Sequence, residues 1–452
     1  MFWKKTFKGG VHPPSSKAST QHLPIVDMPL PSQVVLPLQQ HIGAPAVACV
    51  ELGDAVKVGQ VIAQAGGYVS VPVHASLSGK VARIGAWPHM LSREAPAISI
   101  EGDGADVWAE GTNSPRAWEQ LDAKGLLEII HDAGMAGMGG ATFPTHVKLS
   151  PPENKPINAV ILNGGECEPY VTCDHRLMLE QPRQVVEGLR IIMKVLGCAQ
   201  GYIGVEANKP DAIRTLRQEA ADEPSIRVVA LQAKYPQGAE KQLIHAILKR
   251  ETPCAGGLPM DVGCLVQNVG TAAAIWQAVA ESRPLIDRAV TVGGPGIREP
   301  KNVRVRLGTL VSELVAFCGG YTEGATKLIA GGPMMGIALA TDQVPVMKGT
   351  SAILALEGRD AASQAPGVCI SCGRCVDVCP MHLMPCTIAT LIEHEQWDDG
   401  ERYHVLDCFE CGSCAYVCPA KRHLVQLFKH GKATITAQKR AQRAETEAGK
   451  AQ

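Results

Sequence analysis

The chain has 452 residues, 46% hydrophobic but only 4% aromatic. This is enough for about two to four domains with aliphatic, glycine-rich cores. Its 43 basic and 44 acidic residues leave a net charge of −1, which excludes the basic footprint of a nucleic-acid binder. No window offers the roughly 18 uninterrupted apolar residues of a membrane span; the nearest, VGCLVQNVGTAAAIWQAVA, is broken by Gln267, Asn268 and Gln277.

Residues 1–33, rich in Pro, Ser, Thr and His, read as an extended arm. The opening MFWKKTFKGG has lysines but no apolar stretch behind them, so no secretory signal is expected. Phe2 and Trp3 could touch a membrane or a partner; a terminus packed on its own domain is the plainer reading. Residues 34–102 break into short β-prone runs punctuated by glycine turns, which predicts a small β-sandwich. The phrase GDAVKVGQVIA…VHASLSGKVARI resembles a biotinyl/lipoyl-type domain. The turn that would carry the modified lysine, AGGYVS, has none, so the module is expected to be unmodified and structural.

Residues 118–285 read as an α/β unit. LDAKGLLEIIHDAG puts Leu121, Leu126, Ile129, Ile130 and Ala133 on one helical face. A glycine loop follows, then a buried strand at Ala159–Leu162 and an alternation of helices and strands to residue 250, which predicts a mainly parallel sheet. Residues 286–335 hold two β runs around a Gly/Pro turn and a short helix, as in a β-grasp module. The linker EGRDAASQAP leads into a cysteine-rich segment, 360–432. The tail, 433–452, reads as a frayed helix or a flexible end.

Half of the sixteen cysteines lie in two runs, CISCGRCVDVCP and CFECGSCAYVCP, each C-x2-C-x2-C-x3-C-P. In a chain without a secretory signal this reads as metal binding rather than disulfides. In such runs three cysteines wrap one [4Fe–4S] cluster and the fourth reaches across to the other. The expected sets are Cys369, Cys372, Cys375 with Cys418, and Cys408, Cys411, Cys414 with Cys379. Zinc is the competing occupant, but zinc knuckles lack the C-x3-C-P extension. Cys386, like Cys49, Cys198, Cys254, Cys264 and Cys318, reads as a buried free cysteine.

Clusters pass single electrons, whereas a nicotinamide gives two as a hydride; a flavin joins the two chemistries. GMGGATFP, residues 137–144, could bring backbone N–H groups to a phosphate, although the loop matches no standard nucleotide motif and a bare connector is the alternative. Lys148 follows as a possible phosphate partner. NGGECEP, at a strand end, offers Glu166 and Glu168 as ribose or nicotinamide acceptors; solvated caps are the plainer reading. KYPQGAEKQL adds Tyr235 and Glu240, and VQNVGTAA adds Asn268.

These four segments, in this order, resemble the flavoprotein (51-kDa) subunit of complex I. The resemblance implies an α/β flavoprotein domain of complex I 51-kDa type, holding non-covalent FMN and NADH in one cavity. Around it stand the N-terminal β-sandwich, an SLBB β-grasp module and a C-terminal α-helical two-cluster ferredoxin-like domain. It implies that Gly137, Gly139, Gly140, Lys148, Asn163, Tyr235, Gly238 and Asn268 hold FMN, that Phe143 stacks on adenine, and that Glu168 and Glu240 face the nicotinamide. The chain departs from that flavoprotein at Met138, where arginine is usual, at Gly165 and Ala239, where acids are usual, and in having two clusters.

FKGGVHPPSSKAST, LPLQQHIGAPA, VHASLSGKV, KYPQGAEKQL, GGPMMG and both cysteine runs resemble the C subunit of the Rnf (Rsx) electron transport complex, from about residue 7 to 430. That resemblance implies a peripheral protein on the cytoplasmic face of the bacterial inner membrane. Its partners would be the membrane and Fe–S subunits and, through them, ferredoxin. It would exchange electrons between NADH and ferredoxin as other subunits move an ion. No acid–base residue is expected to be essential to the hydride step. A microcompartment cobalamin reductase with a similar layout, and a non-catalytic Fe–S scaffold, are the alternatives.

Overall fold

The structure, a computed structural model, describes residues 5–362 and 365–450. Phe2 and Trp3 lie outside the described residues.

The N-terminal module is a sandwich of two sheets. Strands Gln33–Pro37, Glu94–Gly102, Gly79–Pro88 and Ala55–Val56 form one sheet; Val47–Ala48, Val61–Gln64 and Val73–His74 form the other. Alternate residues such as Leu36, Ile62, Val73 and Ile98 point inward to a shared core. The AGGYVS turn leaves Tyr68 exposed at a hairpin tip. The carbonyl of Tyr68 meets His146 Nε2 at 2.9 Å, so the tip rests on the next unit.

That unit is built on four parallel strands in the order Ile226–Leu231, Gly201–Glu206, Ala159–Gly164 and Cys264–Asn268. Both faces are covered, as an all-parallel sheet requires. Val160 and Leu162 pack with Leu189 and Ile192 of helix Pro182–Leu196. Ala159 and Ile161 pack with Leu243 and Ile247 of helix Glu240–Leu248. Helix Val269–Ala280 is buried nearly all round, which is why it reads as a uniform apolar run. It crosses Pro182–Leu196 so closely that a Cβ on Gly188 would sit 1.9 Å from the Ala272 carbonyl.

The β-grasp sheet is larger than the sequence suggests. It has six strands in the order Ile25–Asp27, Lys301–Arg306, Asp287–Gly293, Ala352–Glu357, Ala325–Ala330 and Ile337–Leu339. The apolar run Ala352–Glu357, outside the expected 286–335, is a central strand. Ile25–Asp27, from the arm, is an edge strand parallel to Lys301–Arg306.

The arm is therefore threaded through the molecule. Lys5 bridges Leu231, and Val11 bridges Tyr235. Gly10 N–H donates to the Val378 carbonyl at 2.9 Å. Lys17 donates to the carbonyls of Glu166 and Val171 at 2.8 and 2.5 Å.

In the cysteine-rich unit, Ile388, Ile392, Val405, Leu424, Phe428 and Ile435 make a small core. The tail, expected from 433 as a frayed helix or a flexible end, is the continuation of one helix, Leu424–Lys450. Its Ala, Gln, Glu and Lys residues are good helix formers. Ile435 anchors the helix, and Lys439 pairs with Glu401. No helix among the described residues is long and apolar enough to cross a membrane.

Candidate functional site

The loops implicated by the sequence meet at the C-terminal edge of the parallel sheet, where ligands bind in open α/β sheets. The glycine loop is a short hairpin: Ala136 bridges Pro144, and Gly137 N–H donates to the Phe143 carbonyl at 2.9 Å. Met138 N–H donates to Thr271 Oγ1 at 2.9 Å, and Arg288 donates to the Met138 carbonyl. This lays the loop across the start of helix Val269–Ala280. Gly139 packs against the Asn268 side chain; Gly140, at φ +62°, has open space where a side chain would be. Phe143 is half-buried.

Asn268 caps that helix. Its Oδ1 accepts from Gly270 N–H at 2.7 Å, and its Nδ2 donates to Asp174 Oδ2 at 2.7 Å. Asn163, at the end of its own strand, donates to the Gly238 carbonyl at 2.7 Å and accepts from Gly165 N–H at 3.0 Å. A Cβ on Gly238 would stand 2.1 Å from the Gly165 carbonyl, so these two loops need glycine to touch. Lys148 pairs with Glu240 at 2.9 Å.

The two acidic residues of NGGECEP are separated. Glu166 is buried; its Oε1 accepts from Asp174 N–H at 2.8 Å, while Oε2 has no hydrogen-bond partner. Lys17 Nζ lies 3.8 Å from that carboxylate, and the buried pair Lys209–Glu206 lies alongside. Burial pushes the Glu166 carboxyl up to about 7, with Lys17 pulling the other way, and burial pushes the Lys17 ammonium down. Glu168 instead accepts from Met334 and Met335 N–H at 3.0 and 2.9 Å, in the GGPMMG loop. Burial pushes it up to about 7 as well, against those two donors. A cavity of about 170 Å³ between the arm and the sheet edge is lined by Lys17, Glu166, Cys167, Glu206, Asn208 and Tyr235.

Tyr235 is buried, and its hydroxyl donates to the Cys411 carbonyl at 2.6 Å. The two cysteine runs are interleaved as their spacing suggests. One cavity is lined by Cys369, Cys372, Cys375 and Cys418, the other by Cys379, Cys408, Cys411 and Cys414. The fourth cysteine of each run thus stands in the other run's cavity. Cys372 is exposed, whereas Cys379, Cys411 and Cys414 are buried.

The remaining cysteines divide. Cys198, Cys264 and Cys318 are buried, but Cys49 and Cys254 are exposed. Cys386 is half-buried and lines the first cavity. Sequence reasoning missed Asp174, eight residues beyond Glu166, and Lys17, Lys209 and Arg288, which approach the site from distant parts of the chain. Of these only Arg288, a charge in the mostly apolar PLIDRAVTV, carries a signal in the sequence.

The residues present fit the groups the sequence implies. Each cysteine cavity offers the four thiols of an iron–sulfur cluster's donor set, the first with Cys386 as a fifth. The glycine tip leaves backbone N–H groups open beside a helix N-terminus and Lys148, a setting for a phosphate. The buried Glu166 Oε2 and both polar atoms of the Gln237 side chain, fully buried next to Gly238, have no partner among the described residues.

Family models match four consecutive stretches. They are an RnfC barrel sandwich hybrid domain over 5–105, a Nuo51 FMN-binding domain over 130–277, an SLBB domain over 289–338 and a 4Fe-4S dicluster domain over 368–422. The chain is 49% identical over 430 residues to the C subunit of the proton-translocating ferredoxin:NAD(+) oxidoreductase complex of Clostridium ljungdahlii, covering 95% of this chain and 94% of that one. It is 46% identical over 435 residues to the Na(+)-translocating counterpart of Acetobacterium woodii, covering 96% and 98%. It is 41% identical to the C subunit of the ion-translocating oxidoreductase complex of Rhodobacter capsulatus, covering 95% and 83%.

Proposed function

The chain belongs to the family of C subunits of ion-translocating ferredoxin:NAD(+) oxidoreductase complexes, and on that premise we propose that it is the peripheral component where NADH exchanges electrons with the complex. It works with the other subunits of that complex and, through them, with ferredoxin. We place it on the cytoplasmic face of the membrane.

Bound FMN supplies the exchange between a two-electron hydride and single electrons, which [4Fe–4S] clusters carry onward. The backbone of Gly137, Gly139 and Gly140, with Lys148 and the capped helix start at Asn268, would hold the phosphate end of FMN. Asn163, Tyr235 and Gly238 would bound the other end. Phe143 offers a face for adenine stacking. Glu166, Glu168 and Glu240 supply acceptors toward ribose and nicotinamide; Glu168 is free to do so only when it releases Met334 and Met335. Cys369, Cys372, Cys375 and Cys418 would hold one cluster, and Cys379, Cys408, Cys411 and Cys414 the other. The residues act by position, so none is needed as an acid or base for the hydride step.

The observation that carries this reading is the bond from Tyr235 to Cys411, which ties the nucleotide loop directly to the second cysteine cavity. The test is an anaerobic titration of the chain reconstituted with iron, sulfide and FMN. NADH should bleach the flavin absorbance, after which EPR signals of reduced clusters appear. A chain that binds FMN but leaves it oxidised with NADH, while NADPH or reduced ferredoxin reduces it, would reverse the donor assignment. A chain that retains no FMN would be a relay scaffold.

A further inference from the structure

The cavity lined by Cys369, Cys372, Cys375 and Cys418 is also lined by Ser371 and Arg374, which are exposed to solvent, and by the more enclosed Cys386 and Arg422. Cys386 is the second residue of helix Pro385–Glu393. Its backbone N–H and its side chain both reach the Cys375 thiol. Arg422 follows the second cysteine run and is 7% exposed. Its Nη2 donates to Glu393, its Nη1 is buried without a partner, and the guanidinium lies against the Cys369 thiol.

The other cavity differs. Besides its cysteines it is lined mainly by Pro380, Met381, Phe409, Val425 and Phe428, with Glu410 as the charged residue. Lys432, nearby, gives its ammonium to Glu410 and to the Cys408 carbonyl.

A cluster that gains an electron gains negative charge, and donors to its sulfurs or a nearby cation favour that state. The effect is strong where water is excluded. A guanidinium stays charged at any working pH. Glu393 does not cancel it fully, because its side chain is 41% exposed and screened by solvent.

We propose that Arg422 and Cys386 are unligated donors that hold the cluster of the first cysteine set at a higher reduction potential than that of the second. An electron entering on the Tyr235 side would then run toward the set that carries the exposed Cys372. One electron moves; no bond forms or breaks. The inference rests on the cysteine sets assigned under Proposed function.

The test uses the full chain reconstituted with iron and sulfide, with both counted, and EPR at poised potentials. Cys372→Ala identifies the signal of the first set. Arg422→Gln and Cys386→Ala should each lower that midpoint and leave the other in place. Arg422→Lys and Cys386→Ser, which restore the charge and a donor, should recover part of the shift. Unmoved midpoints in both variants, or a shift confined to the second signal, overturn the proposal. So does loss of cluster iron in Cys386→Ala, which would make that residue a ligand. If Arg422→Gln fails to assemble, Arg422→Gln combined with Glu393→Gln removes the buried charge imbalance and is read the same way. A parent chain that takes up no iron, or a Cys372→Ala chain that keeps both signals unchanged, refutes the ligand assignment instead.

Discussion

The phenolic hydroxyl of Tyr235 donates to the main-chain carbonyl of Cys411 across 176 residues of sequence. The bond is buried, and the Tyr235 main chain is in turn paired with Val11 of the arm. Tyr235→Phe leaves the Cys411 carbonyl unsatisfied, which should lower stability by about 1–3 kcal/mol. Urea denaturation of the reconstituted chain measures this. In stopped-flow with NADH, the delay between flavin bleaching and cluster reduction should lengthen. An unchanged delay would separate this bond from the electron path.

Two glycines test close backbone contacts. Gly238→Ala pushes against the Gly165 carbonyl, so the NGGECEP loop must move and FMN retention should fall. Gly188→Ala acts behind the site, where two helices cross at the Ala272 carbonyl, one residue beyond Thr271. Overpacking there should cost about 1–3 kcal/mol, read as a lower thermal midpoint.

Lys17 is the counter-charge that the arm delivers to Glu166. Lys17→Met leaves a buried carboxylate with one fewer cation and frees two carbonyls. Breaking such a buried pair from one side costs about 3–5 kcal/mol. Adding Glu166→Gln should recover a large part of that loss in the same denaturation assay. Equal stability of the single and double variants would show that Lys17 acts only through its carbonyl contacts.

Glu168 makes stability depend on pH. Burial raises its carboxyl from the usual 4.5 to about 7 in the folded chain. Between those values the folded protein keeps a proton that the unfolded chain has released. Stability from this group is thus fully present below the lower value and is lost as pH rises through the upper one. Glu168→Gln should reduce the loss of stability between about pH 5 and about pH 8. A loss as large in the variant as in the parent would assign the slope to other groups, Glu166 first.

Local signals were legible in the sequence. The helix–strand alternation from 157 to 250 follows from periodicity, because each element buries one stripe or one pair of faces. The interleaving of Cys379 and Cys418 was legible because ligand spacing is set by the size of the object enclosed. Long-range pairings were not. Helix Val269–Ala280 has no polar face to give it a period, since neighbours cover it on all sides. Lys17 and Arg422 are ordinary surface-type residues until the fold carries them to buried positions beside Glu166 and Cys369. Cys386 reads as a stray thiol because its relation to Cys375 runs through a helix start rather than through the spacing of the runs.

The threaded arm bears on how the protein is made. Residues 5–17 leave the ribosome well before the segments they pair with: Lys5 and Val11 pair with Leu231 and Tyr235, and Gly10 waits for Val378. Domains generally fold as they emerge, N-terminal first. Here the arm must stay unpaired until the sandwich, the α/β unit and the first cysteine run have been synthesised. Gly9 packs on the backbone of Val378 and Cys379, and Gly10 N–H donates to the Val378 carbonyl, so that docking comes after the first run has taken its place. Docking of the arm therefore waits on the synthesis of the first cysteine run.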